Sequence, residues 1–454
     1  MKAESASKGS LTAEFVATAG TRTFPPEVID AAKMCLVDWM GVALGAHAEG
    51  AAVSTRRMAE AWGAGGNAQI LLGPKTTPAL AALVNGTMSH CMDYDDAHTQ
   101  GGGHVSAPNW AAALAMASHL GADEQRTLMG FITGFEVMAR LGGGGAAGMG
   151  RNLQLRGIHP TSVWGRFGAA AVACAMLGLD AERTAHAMGV AATTAAGLNA
   201  SFGTMSKPFH AGKAAMDGIL AAQLAAEGFE AATNLLDADN GLQGTFIQDR
   251  QGAIPPLEFS AGWELLRNAF KPYACCRATH PSVDAARSLA AQVGDAEVVE
   301  VQSVVHKGAL VPAGQMNPQT PLQGKFSMPY CIALGLRGYD AVFTDFSPER
   351  LADRRIMDIV PRVTCTEDPD LERFQARLAV ILADGKRLEA ETKVVLGHPD
   401  NPMTWDDMHT KFAGLVEPVL GADDSEALWD TMRDFEQPGA LAKVLALVQP
   451  RPAN

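Results

Sequence analysis

The run His159-Pro160-Thr161-Ser162-Val163-Trp164-Gly165-Arg166-Phe167-Gly168-Ala169-Ala170-Ala171-Val172-Ala173-Cys174-Ala175-Met176-Leu177 has the marks of a helix start followed by a buried helix. Proline suits the first helical position, where its missing N–H costs nothing. The hydroxyls of Thr161 and Ser162 can accept from free N–H groups of the first turn. Beyond them the residues are almost all small or apolar. That predicts a helix over 161–177 with no solvent face, the texture of a helix-rich core. The run is too short and too rich in Ala and Gly for a membrane span, which needs about 20 apolar residues.

The same syntax occurs twice more, at His104-Val105-Ser106-Ala107-Pro108 and at His280-Pro281-Ser282-Val283-Asp284. Each imidazole thus stands where a helix offers unpaired donors and partial positive charge, a setting that attracts anions. The same setting disfavours the imidazolium and leaves a ring nearer to a working base at neutral pH. One such site alone is an ordinary polar cap; three in one chain point to a pocket for a substrate with several carboxylates.

Working outward, periodic apolar positions and helix-start prolines predict helices over 25–46, 77–93, 108–120, 124–141, 181–196 and 211–227. Their faces are rich in Ala and Gly, which permits close helix–helix approach. Glycine links stand at 101–103 and 142–150; the second has no preceding strand and no Lys-Ser/Thr ending, which argues against a phosphate-cradling loop. After Lys271 the texture changes. Strands are expected over 299–306 and 362–367, and over 375–383 and 387–396 around the hairpin signal Asp384-Gly385, with a helix at 329–336 between them. Helical texture returns from Thr404, after His398-Pro399-Asp400-Asn401-Pro402, with closing helices at 425–435 and 440–447. The fold class read from this is mainly α. Residues 1–268 form a large helical domain, 269–397 a smaller α+β domain, and 398–454 pack back on the first.

The chain has 454 residues, 47% of them hydrophobic and 19% charged, which places it among globular proteins rather than disordered ones. Its formal net charge of −13 argues against nucleic acid or an anionic membrane as partner. An acidic protein that binds an acidic molecule must cluster its few positive groups. The 7 cysteines are odd in number and include no Cys-x-x-Cys pair, so free thiols in a reducing cytoplasm are expected. The start Met1-Lys2-Ala3-Glu4-Ser5 is polar and carries no signal-peptide core.

Four stretches carry chemistry. His90-Cys91-Met92-Asp93-Tyr94-Asp95-Asp96-Ala97-His98 crowds three acids and two imidazoles into one helix end. It reads as a divalent-cation site, as an acidic turn, or as the polar wall of an active site whose carboxylate orients a histidine. Gly203-Thr204-Met205-Ser206-Lys207-Pro208-Phe209-His210-Ala211-Gly212 fixes Lys207 beside a helix start, where it can clamp a carboxylate or hold enolate charge; His210 fits a packing, capping or catalytic role equally. Lys271-Pro272-Tyr273-Ala274-Cys275-Cys276-Arg277-Ala278-Thr279-His280 offers Arg277 as a carboxylate fork, and Cys275 either as a thiol activated by His280 or as a packed one. In Gly324-Lys325-Phe326-Ser327-Met328-Pro329-Tyr330-Cys331, the phenol of Tyr330 is either a proton donor or a core group.

Together, Met92-Asp93-Tyr94-Asp95-Asp96, Gly157-Ile158-His159-Pro160-Thr161-Ser162, Gly203 to Gly212, Tyr273 to Pro281 and Phe326-Ser327-Met328-Pro329-Tyr330 resemble the MmgE/PrpD superfamily over nearly the whole chain. The superfamily includes 2-methylcitrate dehydratases, cis-aconitate decarboxylases and iminodisuccinate epimerases. The resemblance implies a large all-helical domain built from both chain ends plus an α+β lid, a homodimer, and no metal or organic cofactor. It also implies pocket residues at Asp93, His104, His159, Lys207, His280 and Tyr330. Arg277, Thr161 and Ser206 are expected, from the residues themselves, to bind substrate. Ala97 stands where some members carry threonine. The activity implied is that of a hydro-lyase, acting on a small hydroxy di- or tricarboxylate through a carbanion or enolate-like step. Decarboxylation or epimerisation of a related acid is the nearest rival; a metal-dependent hydrolase or a non-catalytic helical binding protein is the rival of another class. In this scheme Lys207 and the helix starts clamp carboxylates, and His104 or His159 is the base. The other histidine, or Tyr330, is the acid; Asp93 orients a histidine and His280 completes the site.

Overall fold

A computed structural model describes residues 7–63, 65–100, 102–143, 149–247 and 257–450. The polar start, Gly101 and most of the 142–150 glycine link lie outside the described residues. The fold is mainly α. Its contacts divide the chain after Ala269 and again after Asp407; the first and last segments form one unit and Phe270–Asp407 forms the other. Among the described residues no helix is long and apolar enough to cross a membrane.

The first unit is built from α1 (Lys8–Ala17), α2 (Pro26–Gly45), α3 (Gly50–Trp62), α4 (Pro78–His90), α5 (Ser106–Leu120), α6 (Glu124–Gly142), α7 (Met149–Leu155), α8 (Pro160–Leu177), α9 (Ala181–Thr193) and α10 (Ser206–Ala226). Two-residue strands β1 (Ala68–Gln69), β2 (Lys75–Thr76), β3 (Ala97–His98) and β4 (Asn268–Ala269) pair as two antiparallel ladders, β1 with β2 and β3 with β4. Helix α8 is buried along nearly its whole length, as its lack of a polar face requires. It packs against α6 and α10, and α10 also packs on α4. The α4–α10 crossing is close because two glycines meet there: a Cβ on Gly212 would lie 2.1 Å from the Leu83 carbonyl oxygen.

Three boundaries differ from expectation in ways that matter for the site. Helix α4 stops at His90 instead of running toward Asp93, because Asp93 takes a left-handed backbone with φ 54°, which no right-handed helix accommodates. Helices α5 and α10 begin at Ser106 and Ser206, two and five residues earlier than their sequence signals suggest. Their prolines, Pro108 and Pro208, then fall at the third helical position, where backbone N–H groups still lack intrahelical partners.

The second unit holds a four-stranded sheet of β5 (Val298–His306), β6 (Val363–Asp368), β7 (Ala376–Leu382) and β8 (Arg387–Thr392), in the order β6-β5-β7-β8. Only β5 and β6 run parallel. The β7–β8 hairpin turns at Asp384-Gly385, with Gly385 at φ 84°. Helix α11 (His280–Val293) packs on β7 and β8; the short helices α12 (Leu310–Ala313) and α13 (Pro321–Gly324) lead to α14 (Met328–Leu336), which packs on α11. Two further short helices, α15 (Pro348–Leu351) and α16 (Arg354–Met357), precede β6.

Helix α17 (Trp405–Leu420) carries the chain into its last segment, followed by α18 (Ala422–Arg433) and α19 (Ala440–Leu447). From Met408 onward this segment belongs to the first unit. There Lys411 donates to Asp38 Oδ1 of α2 at 2.5 Å and to the Tyr94 carbonyl at 2.8 Å, with its ammonium 3.9 Å over the Tyr94 ring. Asp38 Oδ2 accepts the backbone N–H of Asp96 at 3.0 Å. The end of the chain therefore fastens the acidic loop that follows α4.

Candidate active site

The acidic loop is held by its last carboxylate. Asp96 accepts from the backbone N–H of Ser106 at 3.2 Å, from the Ser106 hydroxyl, and from Asn268 Nδ2 at 2.6 Å. It thereby caps α5 and occupies that helix's positive end. Asp96 fills the acidic-turn role, and the α5 start that follows His104 already has its anion. His104 is set by a second tie: its backbone N–H donates to Thr161 Oγ1 of α8 at 3.0 Å. The preceding residue must be glycine, since Gly103 has φ 80° and a Cβ there would lie 2.6 Å from that same oxygen. Thr161 thus joins the two histidine-bearing loops.

Asp95, wholly buried, holds the imidazoles. His90 Nδ1 lies 2.8 Å from Asp95 Oδ2 in a hydrogen bond, and His104 Nδ1 lies 3.1 Å from the same oxygen, off the hydrogen-bond direction. The His90 and His104 rings meet edge to face at 4.5 Å, and the His90 ring stacks toward His159 at 5.8 Å. Burial by itself would raise the Asp95 carboxyl; the two imidazoles outweigh it and hold the group well below the usual carboxylate range. Burial pushes His90 down to about 4, against the pull of Asp95, so its ring is neutral at physiological pH. Among the described residues, His90 Nε2, Asp95 Oδ1 and His104 Nδ1 are buried without hydrogen-bond partners. They are the free hydrogen-bonding capacity of the cluster.

Asp93 turns the other way. Its left-handed backbone aims the carboxylate at Lys207, with which it forms an ion pair, and one oxygen stands 3.7 Å from His104 Nε2. A non-glycine residue at φ 54° stores strain on the order of 1–3 kcal/mol, which the surroundings must sustain. The carboxylate that accepts from an imidazole is that of Asp95, while Asp93 is the counter-ion of Lys207. Lys207 is the second residue of α10, on its first turn, and its ammonium is 5.6 Å from the Phe202 ring. Ser206, the first residue of that helix, is exposed and donates its backbone N–H to Thr204 Oγ1 at 3.2 Å.

His159 is the cap residue of α8, and its backbone N–H donates to the Gly197 carbonyl at 3.0 Å. The side chain is buried, with Phe202 edge-on at 4.9 Å. Its Nδ1 lies 3.1 Å from Nδ1 of His210. Burial, then the neighbouring charges of His90, Lys207 and His104, hold the His159 imidazolium well below its ordinary range. Burial, Arg166 and Lys207 lower His210 in the same direction.

The first unit therefore gathers Asp93, His104, His159, Thr161 and Lys207 of the expected set. It adds His90, Asp95 and His210, which sequence reading did not single out as site residues. All three stand inside the quoted stretches, so the signal was there; what distinguishes them is the way the chain turns at Asp93 and the early start of α10 at Ser206. The donor set His90, Asp95 and His104 can also present one atom each within 4.8 Å, and two imidazoles with a carboxylate suit a transition-metal ion. The ammonium of Lys207, whose charge reaches His90, works against a dication there.

In the second unit His280 is the first residue of α11, and its Nε2 lies 3.2 Å from the Cys275 carbonyl oxygen. Its ring meets Tyr273 edge to face at 5.1 Å. The Cys275 thiol lies 3.0 Å from Thr279 Oγ1. Arg277 lies 4.8 Å over the Phe374 ring. Tyr330 is wholly buried on α14 and donates to the Asp345 carbonyl at 3.1 Å, and burial raises its phenol.

Two family models match the chain: the MmgE/PrpD N-terminal domain over residues 11–254 and the MmgE/PrpD C-terminal domain over residues 273–437. The chain is similar to the cis-aconitate decarboxylase of Homo sapiens, 27% identical across 79% of this chain and 77% of that one. It is also similar to the cis-aconitate decarboxylase of Aspergillus terreus, 25% identical across 98% of this chain and 97% of that one. A cis-aconitate decarboxylase-like protein, oryM, of Aspergillus oryzae is 24% identical across 98% of both chains.

Proposed function

Because the chain belongs to the MmgE/PrpD family, through both of that family's domains, we propose that it is a lyase that removes carbon dioxide from a small unsaturated tricarboxylate of the cis-aconitate class. The observation that carries this reading is the cluster in which Lys207 and His104 meet Asp93, His104 also meets Asp95, and His159 stacks toward His90. The names of the three relatives turn it from dehydration, the reaction the sequence first suggests, to decarboxylation.

The chemistry balances as R–CO2⁻ + H⁺ → R–H + CO2. As the carbon–carbon bond breaks, its electron pair spreads into the remaining conjugated carboxylate. That enolate-like charge needs a fixed cation, and Lys207 supplies it, exchanging Asp93 for the substrate's carboxylate. An imidazole, His104 or His159, then delivers the proton to carbon. Asp95 keeps His90 and His104 in place. His280, Arg277 and Tyr330, all in the second unit, keep in this proposal the roles expected of them from the sequence.

The test is to incubate the purified protein with cis-aconitate and follow products by proton NMR. A five-carbon unsaturated diacid supports the reading, and Lys207→Ala should slow its formation on the order of 10²–10³-fold. A hydroxy tricarboxylate formed by water addition would instead favour a hydro-lyase. That second reading draws on one observation: the Asp95-held imidazoles and the His159–His210 pair are two separate proton-holding groups, as removal of a proton and a hydroxyl requires. The homodimer implied by the resemblance belongs to the same proposal, and analytical ultracentrifugation checks it.

A further inference from the structure

Resting on that reading, we propose that Phe202 is a specificity-determining residue: its ring is the apolar wall against which the substrate's carbon skeleton lies, and it selects tricarboxylates whose skeleton carries no hydroxyl. The ring stands beside both groups that the reading puts to work. Its centroid is 4.9 Å from that of the His159 imidazole, edge to face, and 5.6 Å from the Lys207 ammonium. A carboxylate hydrogen-bonded to that ammonium sits about 2.8 Å from it. A molecule held there and reaching to His159 passes along the ring. Phe202 is 42% exposed, so part of its surface is open to such a molecule. A lone exposed apolar side chain is ordinary on a protein surface. This one is set apart by its place beside a cation and an imidazole.

The backbone that carries the ring is tied down on both sides. The Phe202 N–H donates to the Asn199 carbonyl at 2.9 Å, and the Asn199 N–H donates to the Gly157 carbonyl at 2.8 Å. The Gly197 carbonyl accepts from the His159 N–H at 3.0 Å. Gly197 has φ 133°, and a Cβ there would lie 2.5 Å from the Ser162 side chain, so only glycine lets the loop approach α8 this closely. After the ring, the Thr204 carbonyl accepts from the Lys207 N–H at 3.2 Å. The loop is thus fastened to the two helix starts that bear His159 and Lys207. A wall already in position costs little ordering when a ligand arrives.

The selection follows from what the ring offers. cis-Aconitate and its saturated analogue, propane-1,2,3-tricarboxylate, present only carbon and hydrogen between their carboxylates. Citrate adds one hydroxyl to the same saturated skeleton. Against the ring that hydroxyl gives up water and finds no hydrogen-bond partner. An enclosing apolar pocket rejects an added hydroxyl by about a hundredfold, and a single half-exposed ring should manage about tenfold. Hydroxy acids are what water addition makes and what dehydration consumes, so Phe202 biases the site toward decarboxylation.

Titration calorimetry of the full-length protein with propane-1,2,3-tricarboxylate and with citrate tests this without turnover. The parent should bind the first about tenfold more tightly than the second. Phe202→Ala should narrow that gap to about twofold, mainly by weakening the first. Phe202→Leu, which keeps an apolar side chain, should retain a gap of about fivefold or more. Circular dichroism should show all three chains equally folded. In kinetics with cis-aconitate, Phe202→Ala should lose more in KM than in kcat, as removal of a ground-state contact does. No measurable binding of either acid, equal binding or a preference for citrate in the parent overturns the proposal. So does a gap that survives in Phe202→Ala, or one lost equally in Phe202→Leu. If the gap depends on Phe202 while the parent leaves cis-aconitate intact, the decarboxylase reading falls and the apolar wall stands. If cis-aconitate loses carbon dioxide while the gap ignores Phe202, the wall falls and the reading stands.

Discussion

Lys411 of α17 donates to Asp38 of α2 at 2.5 Å, joining two helices 373 residues apart in sequence. Asp38 is fully enclosed, and burial, only partly offset by Lys411, raises its carboxyl to about 6. Its other oxygen holds the N–H of Asp96, the residue that caps α5. This pair is the foundation on which the acidic loop rests.

Breaking one side of such a pair leaves an uncompensated buried charge, at a cost of about 3–5 kcal/mol. Lys411→Met should therefore lower stability by about that much in chemical denaturation. Lys411→Met with Asp38→Asn, which removes both charges, should recover a large part of the loss. A single mutant within about 1 kcal/mol of the parent would deny the pair this role.

Lys207→Ala should reduce kcat on the order of 10²–10³-fold, the range seen when one donor to developing charge is removed. The fold should persist, since the side chain stands on the first turn of α10, where Ser206 before it and Phe209 two residues after it are exposed. Steady-state kinetics alongside circular dichroism checks both halves of the statement.

Asp95→Asn keeps the shape of the loop and removes the charge that holds two imidazoles. The account expects a loss on the order of 10²-fold in kcat, with little change in KM, because the imidazoles lose their orientation rather than their contacts with substrate. A change confined to KM would instead assign Asp95 to binding.

Acid should destabilise the first unit through His90. Its ring takes up a proton near 6.5 when unfolded and near 4 when folded. Between those values the unfolded state binds more protons, so stability falls as pH drops from about 6.5 toward 4. A fully enclosed group with that shift contributes about 3 kcal/mol across the window. Asp38 works in the opposite sense, since its raised carboxyl gains a proton earlier in the folded state. Thermal denaturation at pH 7 and pH 5 should show a smaller loss for His90→Asn than for the parent.

Much of this was legible in the chain itself. The Ala- and Gly-rich faces of α8 and α10 announce close-packed helices, and Asp384-Gly385 announces its hairpin, because both are local signals. His104, His159 and Lys207 are legible as chemistry from residue type and placement near helix starts, and Asp93 from the crowding of acids and imidazoles at one helix end. What the sequence does not contain is direction. The left-handed turn at Asp93 sends one carboxylate to Lys207 and the next to His90, and no periodicity encodes that exchange. The role of Lys411 was equally hidden, because its partner lies 373 residues away and only packing brings them together.

The central claim is that this cluster of side chains exchanges a carboxylate for a proton on carbon. The direct measurement is turnover of cis-aconitate in deuterium oxide, with released carbon dioxide quantified and the product analysed by mass spectrometry. The account predicts one carbon dioxide for each substrate consumed and one deuterium bound to carbon in the five-carbon product. Consumption of substrate with no gas released, or a product that retains all six carbons, would contradict it.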